Sequence, residues 1–418
     1  MEKANTDANI VMKYIKYQNY RGINMDVLIK NARIVDWSQD FIGDVYIKDG
    51  IISEIGREIH KDCNIITGEG LTLLPSFIDL HVHFRDPGLT YKEDLESGSL
   101  AAVKGGYTMV NLMANTKPVC STMDTVNYVL QKSREIGLVD VHQTVSITRD
   151  FQGTDTSHLD ELGPEVKIIS EDGFDVMDSA VMLEAMEKAR KKGITVMCHS
   201  ENHELSKIDM RLAENTMTWR NIALAEHASC ATHIAHVSTR EAMEYVAAAK
   251  QRGSSITCEV APHHIALTSE IKYRVNPPIR EKEDVDYLIK CIKDGYVDAI
   301  ATDHAPHTEE DKANGAPGMT GLETAFQVCY TTLVKGGHIN LSKLSELMSR
   351  NPGEILGVKK GQIKIGYQGD LTLVDLEKEM AIDNSKFLSK GKNTPFNGTK
   401  VYGEIVKTIK SGKIVYTL

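Results

Sequence analysis

The sequence lacks the features that mark nucleic-acid-binding and membrane proteins. Basic residues are outnumbered, since 48 Lys and Arg stand against 58 Asp and Glu, and the formal net charge is −10. A nucleic-acid partner would require a basic face, so this balance argues against one. No window approaches the roughly 18 apolar residues of a membrane span, and residues 1–24 lack the apolar stretch of a signal peptide. Those residues could be a flexible extension, or the true start could be Met25.

Cysteine pairs and nucleotide-binding loops are also absent. The seven cysteines are scattered without a C-x-x-C pair, and their odd number fits reduced thiols better than a set of disulfides. We therefore expect a soluble, cytoplasmic protein with no membrane partner. No G-x-G-x-x-G motif follows a strand pattern and no G-x-x-x-x-G-K-S/T motif occurs, which argues against a doubly wound nucleotide-binding sheet.

What the sequence does contain is a regular alternation of strand and helix patterns. Helical patterns, for example at residues 180–193 and 239–253, separate eight short β-branched runs. The runs cover residues 76–84, 108–114, 139–147, 165–171, 194–200, 231–238, 255–262 and 298–304. This number of repeats predicts an α/β fold of the (β/α)8 TIM barrel type, whose active sites lie at the carboxyl ends of the strands. A doubly wound open sheet is the alternative.

Each end of the chain carries a β-hairpin pattern, at residues 44–56 and 404–416. With the β-rich runs next to them, these hairpins could supply one small sheet. We predict a composite β-domain formed by residues 25–74 and 366–418, and a barrel formed by residues 75–365. Two unrelated terminal hairpins are the alternative.

The stretch FIDLHVHFRDPG at residues 77–88 places two histidines one residue apart in an apolar run. If it is a strand, its period of two puts His81 and His83 on one face, near the carboxyl end. Adjacent buried imidazoles need compensation, which a cation readily provides. A hydrogen-bonded core pair explains this motif alone about equally well.

Metal-competent side chains also end four other predicted strands. They are Glu171 and Asp172, then His199, then His236, and finally Asp303, His304 and His307. This set exceeds the three protein ligands that a catalytic Zn2+ usually has. We therefore predict one or two Zn2+ ions per subunit, two being favoured, with a bridging carboxylate. Glu171 competes with Asp172 as the ligand from the fourth strand.

A series of short motifs runs in order from about residue 27 to the C-terminus. They are FIDLHVHFRDPG, MANTKPV, SEDG, CHSE, AHVSTRE, EVAPHH, NPPIR, ATDHAPH, GLETAF and KNTPFNG. They resemble the signatures of bacterial type I dihydroorotases, in the cyclic amidohydrolase group of the amidohydrolase superfamily. The resemblance implies the same barrel and composite β-domain.

The resemblance also implies a role for each candidate residue. His81, His83 and Asp303 would hold one metal ion, His199 and His236 would hold the other, and Asp172 would bridge them. Many relatives bridge with a carboxylated lysine instead, but Ser170 stands where that lysine is expected. Substrate contacts would come from Arg85, Asn115, Asn276 and His307, with possible loop contacts from Pro317 and Gly318.

The loop at residues 308–321 departs from the family pattern, because Pro317 is followed directly by Gly318 where a phenylalanine often intervenes. This departure puts the loop contacts in doubt. The loop could be a mobile cover or an ordinary surface loop.

The implied activity is the reversible hydrolysis of L-dihydroorotate to N-carbamoyl-L-aspartate in de novo pyrimidine (UMP) biosynthesis. A metal-bridged hydroxide would attack the ring amide, and Asp303 would act as general base and then general acid. The alternatives are another cyclic amidohydrolase, such as allantoinase or dihydropyrimidinase, and a catalytically inactive assembly subunit. We also expect a homo-oligomer, with a dimer as our guess. Association with aspartate transcarbamoylase, which occurs among relatives, is a further expected partnership.

Overall fold

The computed structural model describes residues 26–418, so the prediction for residues 1–24 lies outside the described residues. Five strands come first: β1 (Val27–Asp36), β2 (Gln39–Lys48), β3 (Ile51–Gly56), β4 (Asn64–Thr67) and β5 (Thr72–Pro75). Eight short strands follow: β6 (Phe77–Val82), β7 (Tyr107–Leu112), β8 (Asp140–Gln143), β9 (Ile168–Ser170), β10 (Thr195–Cys198), β11 (Thr232–Ile234), β12 (Ile256–Val260) and β13 (Ala299–Ile300). The last three are β14 (Leu371–Ala381), β15 (Lys400–Lys410) and β16 (Lys413–Thr417).

The first five and last three strands form one sheet. Its order is β16-β15-β14-β5-β1-β2-β3, with β4 paired to β1. Both predicted hairpins are present, and their turn dipeptides, Asp49-Gly50 and Ser411-Gly412, have positive φ at each residue, as a type I′ turn requires. The two ends of the chain meet where β5 pairs antiparallel with β14. The prediction of one β-unit built from both ends is confirmed, and its boundaries stay a prediction.

The eight middle strands form the barrel. Neighbours pair in parallel from β6 to β8 and from β9 to β13. Two isolated parallel bridges close the ring, Val145 with Ile169 and Val82 with His304. Every strand falls within or overlaps a predicted run, so the (β/α)8 barrel is confirmed.

Helices follow the strands and cover the barrel. They are α1 (Leu95–Lys104), α2 (Met123–Ile136), α3 (Ser179–Lys192), α4 (Met210–Ala228), α5 (Arg240–Gln251), α6 (Pro262–Ala266), α7 (Lys282–Lys293), α8 (Glu309–Ala313), α9 (Ala325–Cys329), α10 (Leu341–Ser345) and α11 (Asn351–Ile355). Two helix ends are capped by the residues at the limits of the predicted patterns: Thr239 accepts from the backbone N–H of Ala242 at the start of α5, and Gly193 ends α3 in the left-handed conformation. Among the described helices, none combines the length and apolar character needed to cross a membrane.

Candidate metal centre and substrate pocket

Buried histidines and aspartates from five strand ends converge at the mouth of the barrel. Their ligand atoms form two overlapping groups, each within 4.8 Å: His81, His83 and Asp303, and His81, Asp172 and His236. His199 completes the cluster, because its Nδ1 lies 2.8 Å from Nε2 of His236. The structure therefore brings together all six residues that the resemblance implies as metal ligands.

Asp172 lies at the centre of this cluster. Its Oδ1 is 3.1 Å from Nε2 of His81 and 3.4 Å from Nδ1 of His199, while its Oδ2 is 3.6 Å from Nε2 of His83. Burial alone would raise the pKa of Asp172, but the surrounding imidazoles outweigh it and hold the pKa well below its usual range. An ionised carboxylate in contact with both halves of the cluster suits a bridging position.

Glu171, the competing residue of the same strand end, points elsewhere. Its carboxylate accepts hydrogen bonds from the backbone N–H and the hydroxyl of Thr148, and burial raises its pKa to about 7. It makes no contact with the histidine cluster in the described residues. The geometry favours Asp172 over Glu171.

Hydrogen-bond acceptors on the side away from the cluster orient two of the histidines. Glu259 accepts from Nδ1 of His81 at 2.9 Å, and the side-chain oxygen of Asn115 lies 2.9 Å from Nδ1 of His83. A carboxylate without a proton can only accept, so Nδ1 of His81 donates to Glu259 and Nε2 is the ring nitrogen that faces the cluster. Such partners fix the tautomer of a metal-binding imidazole and raise its basicity.

Glu201 plays the same part for His199. Its Oε2 lies 3.1 Å from Nε2 of His199 and accepts from the amide of Asn276 at 2.8 Å. Burial opposes the charged form of His199, but the carboxylates of Asp172 and Glu201 raise its pKa to about 10. Glu201 thus connects a predicted ligand with a predicted substrate contact.

The search for metal-binding residues at the predicted strand ends did not identify Glu259 or Glu201. The available signals were their positions in EVAPHH and CHSE, at the ends of the seventh and fifth strands. His233 also contacts Glu259: its Nε2 lies 3.2 Å from Oε2 of Glu259, and its Nδ1 lies 2.8 Å from the hydroxyl of Thr257. The contacts behind the ligands come from other strands, which sequence spacing does not reveal.

The donor set fits a divalent metal ion. Nε2 of His81 is buried and has no hydrogen-bond partner, although carboxylate oxygens of Asp172 and Asp303 lie 3.1 and 3.6 Å away. Imidazole nitrogens and carboxylate oxygens are the ligands that Zn2+ takes in hydrolytic sites. The residues therefore fit one or two such ions.

Three residues of this region adopt a left-handed backbone conformation that is uncommon outside glycine. They are Arg85, His236 and Asp303, with φ of 59°, 33° and 49°. Each follows the end of a barrel strand, where the chain must turn its side chain into the mouth. Strain of this kind persists where the surrounding structure enforces it, and it concentrates at functional sites.

The predicted substrate contacts line one side of the centre. Nη2 of Arg85 lies 3.5 Å from Nε2 of His307. Nε of Arg85 is buried without a hydrogen-bond partner, and in the described part of the chain no carboxylate reaches ion-pair distance of its guanidinium. Asn115 and Asn276 are engaged instead with Asp172 and Glu201. The pocket therefore offers a half-buried guanidinium that forms no ion pair with the described residues.

The loop at residues 308–321 packs against His307 of this pocket. Gly318 is buried with φ of 118°, and a Cβ added to it would come within 2.7 Å of Cβ of Ala305, whereas Pro317 is exposed. Asn393 holds the loop, because its amide donates to the carbonyl of Gly318 at 3.2 Å and its Oδ1 accepts from the backbone N–H of His307. The motif KNTPFNG thus supports the pocket from the connection between β14 and β15.

Comparison with known proteins agrees with this architecture. The model of the amidohydrolase family matches residues 72–415. A dihydroorotase of Clostridium botulinum (strain Eklund 17B / Type B) is 56% identical over 94% of this chain and 100% of its own length. A dihydroorotase of Acetivibrio thermocellus is 39% identical over 93% of this chain and 98% of its own length.

Solved structures support the same fold. An L-hydantoinase (dihydropyrimidinase) from Arthrobacter aurescens superposes with a TM-score of 0.87 at 25% identity, covering 94% of this chain and 97% of its own. A dihydropyrimidinase from Brevibacillus agri gives 0.85 at 23% identity, covering 94% and 95%.

An eight-stranded barrel with a histidine- and aspartate-rich centre at the carboxyl ends of its strands defines a metal-dependent hydrolase. The chain belongs to the amidohydrolase family and, within it, to the dihydroorotases.

Proposed function

We propose that the protein catalyses the reversible hydrolysis of L-dihydroorotate to N-carbamoyl-L-aspartate in de novo pyrimidine biosynthesis. The observation that carries the proposal is the half-buried guanidinium of Arg85 beside the six-residue centre, whose Nε is buried without a hydrogen-bond partner in the described residues. A guanidinium matches a carboxylate with two parallel hydrogen bonds, and dihydroorotate carries a carboxylate on the ring carbon that the ring CH2 separates from the carbonyl carbon that is attacked. The named activity of the relatives supports the same substrate.

We propose that the centre binds one or two Zn2+ ions, two being favoured. His81, His83 and Asp303 would hold one ion, His199 and His236 the other, and Asp172 would bridge them. When bound, these ions polarise the ring amide carbonyl and lower the pKa of a water molecule from 15.7 towards about 7.

The protein's own residues position the substrate and move the proton. Arg85 and His307 bind the carboxylate, and Asn276 contacts the ring. Burial would raise the pKa of Asp303, but its contact with His83 and the nearby His81 lower it, so the carboxylate is ionised and able to accept a proton. Asp303 takes the proton from the attacking water and returns it to the departing ring nitrogen, one group acting as base and then acid.

The proposal is tested by assaying the purified protein with dihydroorotate, allantoin and dihydrouracil, with and without a chelator. We expect turnover of dihydroorotate that is lost with the chelator and restored by Zn2+. Preference for an uncharged ring, or hydrolysis that resists complete removal of metal, would contradict the proposal. Metal content measured by mass spectrometry of the active protein distinguishes one ion from two.

We also propose that the protein is cytoplasmic, since all seven cysteines are free and reduced thiols suit that compartment. For the oligomeric state we propose a homodimer. Light scattering after size-exclusion chromatography tests the oligomeric state. Mixing with an aspartate transcarbamoylase from the same organism tests for the association that relatives suggest.

A further inference from the structure

A lysine outside the predicted site reaches the carboxylate side of the pocket. Lys92 lies between β6 and α1, its side chain is 15% exposed, and its Nζ is 3.3 Å from Nδ1 of His307. The opposite nitrogen of that ring, Nε2, lies 3.5 Å from Nη2 of Arg85. Arg85, His307 and Lys92 therefore form a row, with the imidazole in the middle.

The chemistry of Lys92 decides where His307 carries its proton. An ammonium group has three donors and no acceptor, so Nδ1 of His307 must accept from Lys92. Burial lowers the pKa of His307 to about 3, and the nearby cations of Arg85 and Lys92 lower it as well, so the ring is neutral. A neutral imidazole that accepts at Nδ1 carries its proton on Nε2.

This tautomer leaves two donors facing each other. With the proton on Nε2, that nitrogen cannot accept from Nη2 of Arg85, 3.5 Å away, so both groups keep an unused donor there, and Nε of Arg85 has no hydrogen-bond partner in the described residues. A carboxylate placed there would accept from both groups, and such charge-assisted hydrogen bonds are the strong ones. The donors of His307 and Arg85 can therefore bind an anion.

Asp311 shows what the tautomer would be without Lys92. Its Oδ1 lies 3.3 Å from Nζ of Lys92, and its Oδ2 lies 3.8 Å from Nδ1 of His307. Reciprocal hydrogen bonds with Thr308 at the start of α8 fix this carboxylate. If Lys92 were absent, Asp311 would be the nearest strong acceptor and would draw the proton to Nδ1. Nε2 would then present a lone pair to the substrate carboxylate.

We propose that Lys92 is a positioning residue for carboxylate recognition. It holds His307 in the tautomer that carries the proton on Nε2, so that His307 and Arg85 together donate to the carboxylate of the substrate. This inference rests on the proposed function for the identity of the substrate, whereas the tautomer is a property of the protein itself.

The kinetic test compares Lys92→Met with Lys92→Arg in the zinc-loaded protein. Methionine removes the donor at similar length, and we expect KM for dihydroorotate to rise roughly 10- to 100-fold, the range for losing a hydrogen bond to a charged group. The value of kcat should change much less, because Lys92 does not touch the metal centre. Arginine keeps a charged donor and should restore most of the affinity.

Lys188→Met is the matched control. Lys188 has a similar exposure of 18% and bonds to Asp160 and Glu184 on the outside of the barrel. We expect KM of this variant to stay within about twofold of the original protein, as for other substitutions away from the site. An equal KM in Lys92→Met and Lys188→Met would overturn the proposal.

The second test reads the tautomer directly, without turnover. Nitrogen-15 NMR of protein with labelled histidine separates protonated from unprotonated ring nitrogens, and His307→Asn identifies the signals of His307 by their loss. We expect a protonated Nε2 in the original protein and in Lys92→Arg, and a shift of the proton towards Nδ1 in Lys92→Met. An unchanged tautomer in Lys92→Met would overturn the role of Lys92.

The two tests separate this inference from the proposed function. If the original protein does not act on dihydroorotate, the proposed function fails, and the NMR comparison still decides the role of Lys92. If it does act, and the KM and tautomer of Lys92→Met are unchanged, only the inference about Lys92 fails.

Discussion

At the scale of single residues, Asp303 occupies a position where one carboxylate can serve as ligand and as proton acceptor. Its Oδ1 lies 3.0 Å from Nε2 of His83. We expect Asp303→Asn, which keeps the shape but cannot take the proton, to lower kcat by about 10²- to 10⁴-fold. The change in KM should be smaller, because the lost interaction belongs to the transition state.

Steady-state kinetics at matched metal content checks this expectation. Asp298→Asn is the control, since Asp298 lies next to the opposite end of β13 and pairs with Lys250. It should leave kcat near the original value. Comparable losses in both variants would argue against a proton-transfer role for Asp303.

Glu259 offers a second residue-scale prediction. It bonds to His81 and His233 from a buried position, and burial would raise its pKa, but the two histidines lower the pKa to about 2. We expect Glu259→Gln to weaken metal binding by about 10- to 100-fold, as other changes behind a metal ligand do. Competition with a chromophoric chelator measures the affinity.

Glu171→Gln is the control for Glu259, since it is equally buried but bonds to Thr148. Its metal affinity should stay close to that of the original protein. A similar loss in both variants would show that any buried change near the strand ends loosens the site.

These residues also show how far the sequence predicts the site. His81, His83 and Asp303 could be found because strand periodicity and strand ends place them in one mouth. Lys92 and Glu259 could not, because each acts on a histidine from a different segment, and no spacing rule links such pairs. The hydrogen-bond partner of each histidine can be identified only from the three-dimensional structure of the barrel.

At the scale of elements, α1 depends on a glycine. A Cβ added to Gly98 would come within 2.5 Å of the ring of Phe84, which lies between His83 and Arg85 in the chain. We expect Gly98→Ala to destabilise the protein by about 1–3 kcal/mol, the usual cost of overpacking. It should also lower kcat/KM by moving Phe84.

Thermal unfolding and kinetics of Gly98→Ala test this packing. Gly56→Ala is the control, because the nearest atom to its added Cβ is 3.9 Å away. Wild-type-like melting and activity in Gly98→Ala would show that the close packing of α1 against Phe84 contributes neither to stability nor to activity.

The elements were more predictable than their ends. All eight barrel strands coincide with predicted runs, yet β11 stops at Ile234 and β13 at Ile300, well before the predicted ends. His236 and Asp303 explain the difference, since their positive φ takes the chain out of the extended conformation. Hydrophobic patterns report burial, and they continue through residues that have already turned into the site.

At the scale of the whole molecule, a buried lysine joins the two β-structures. Nζ of Lys360 lies 2.5 Å from Asp140 at the start of β8 and also contacts Asp370, next to β14. Burial opposes the charge on Lys360, but the two carboxylates raise its pKa, so it stays charged at neutral pH.

We expect Lys360→Met to destabilise the protein by about 3–5 kcal/mol, because it leaves a buried carboxylate unpaired. Differential scanning calorimetry would show a lower Tm. Lys282→Met, at a lysine that is 69% exposed and paired with Asp286, should have little effect. Equal melting of the two variants would mean that the buried pair contributes no net stability.

The position of Asn393 in the chain means that the metal centre and the carboxylate pocket are completed at different stages of synthesis. All six residues of the metal centre precede it by at least 90 positions in the chain, whereas Asn393 bonds to both His307 and Gly318 beside the carboxylate pocket. On the ribosome, the metal ligands therefore emerge well before the residue that fixes the carboxylate pocket. We expect a nascent chain to acquire the capacity to hold metal before it acquires the capacity to hold substrate.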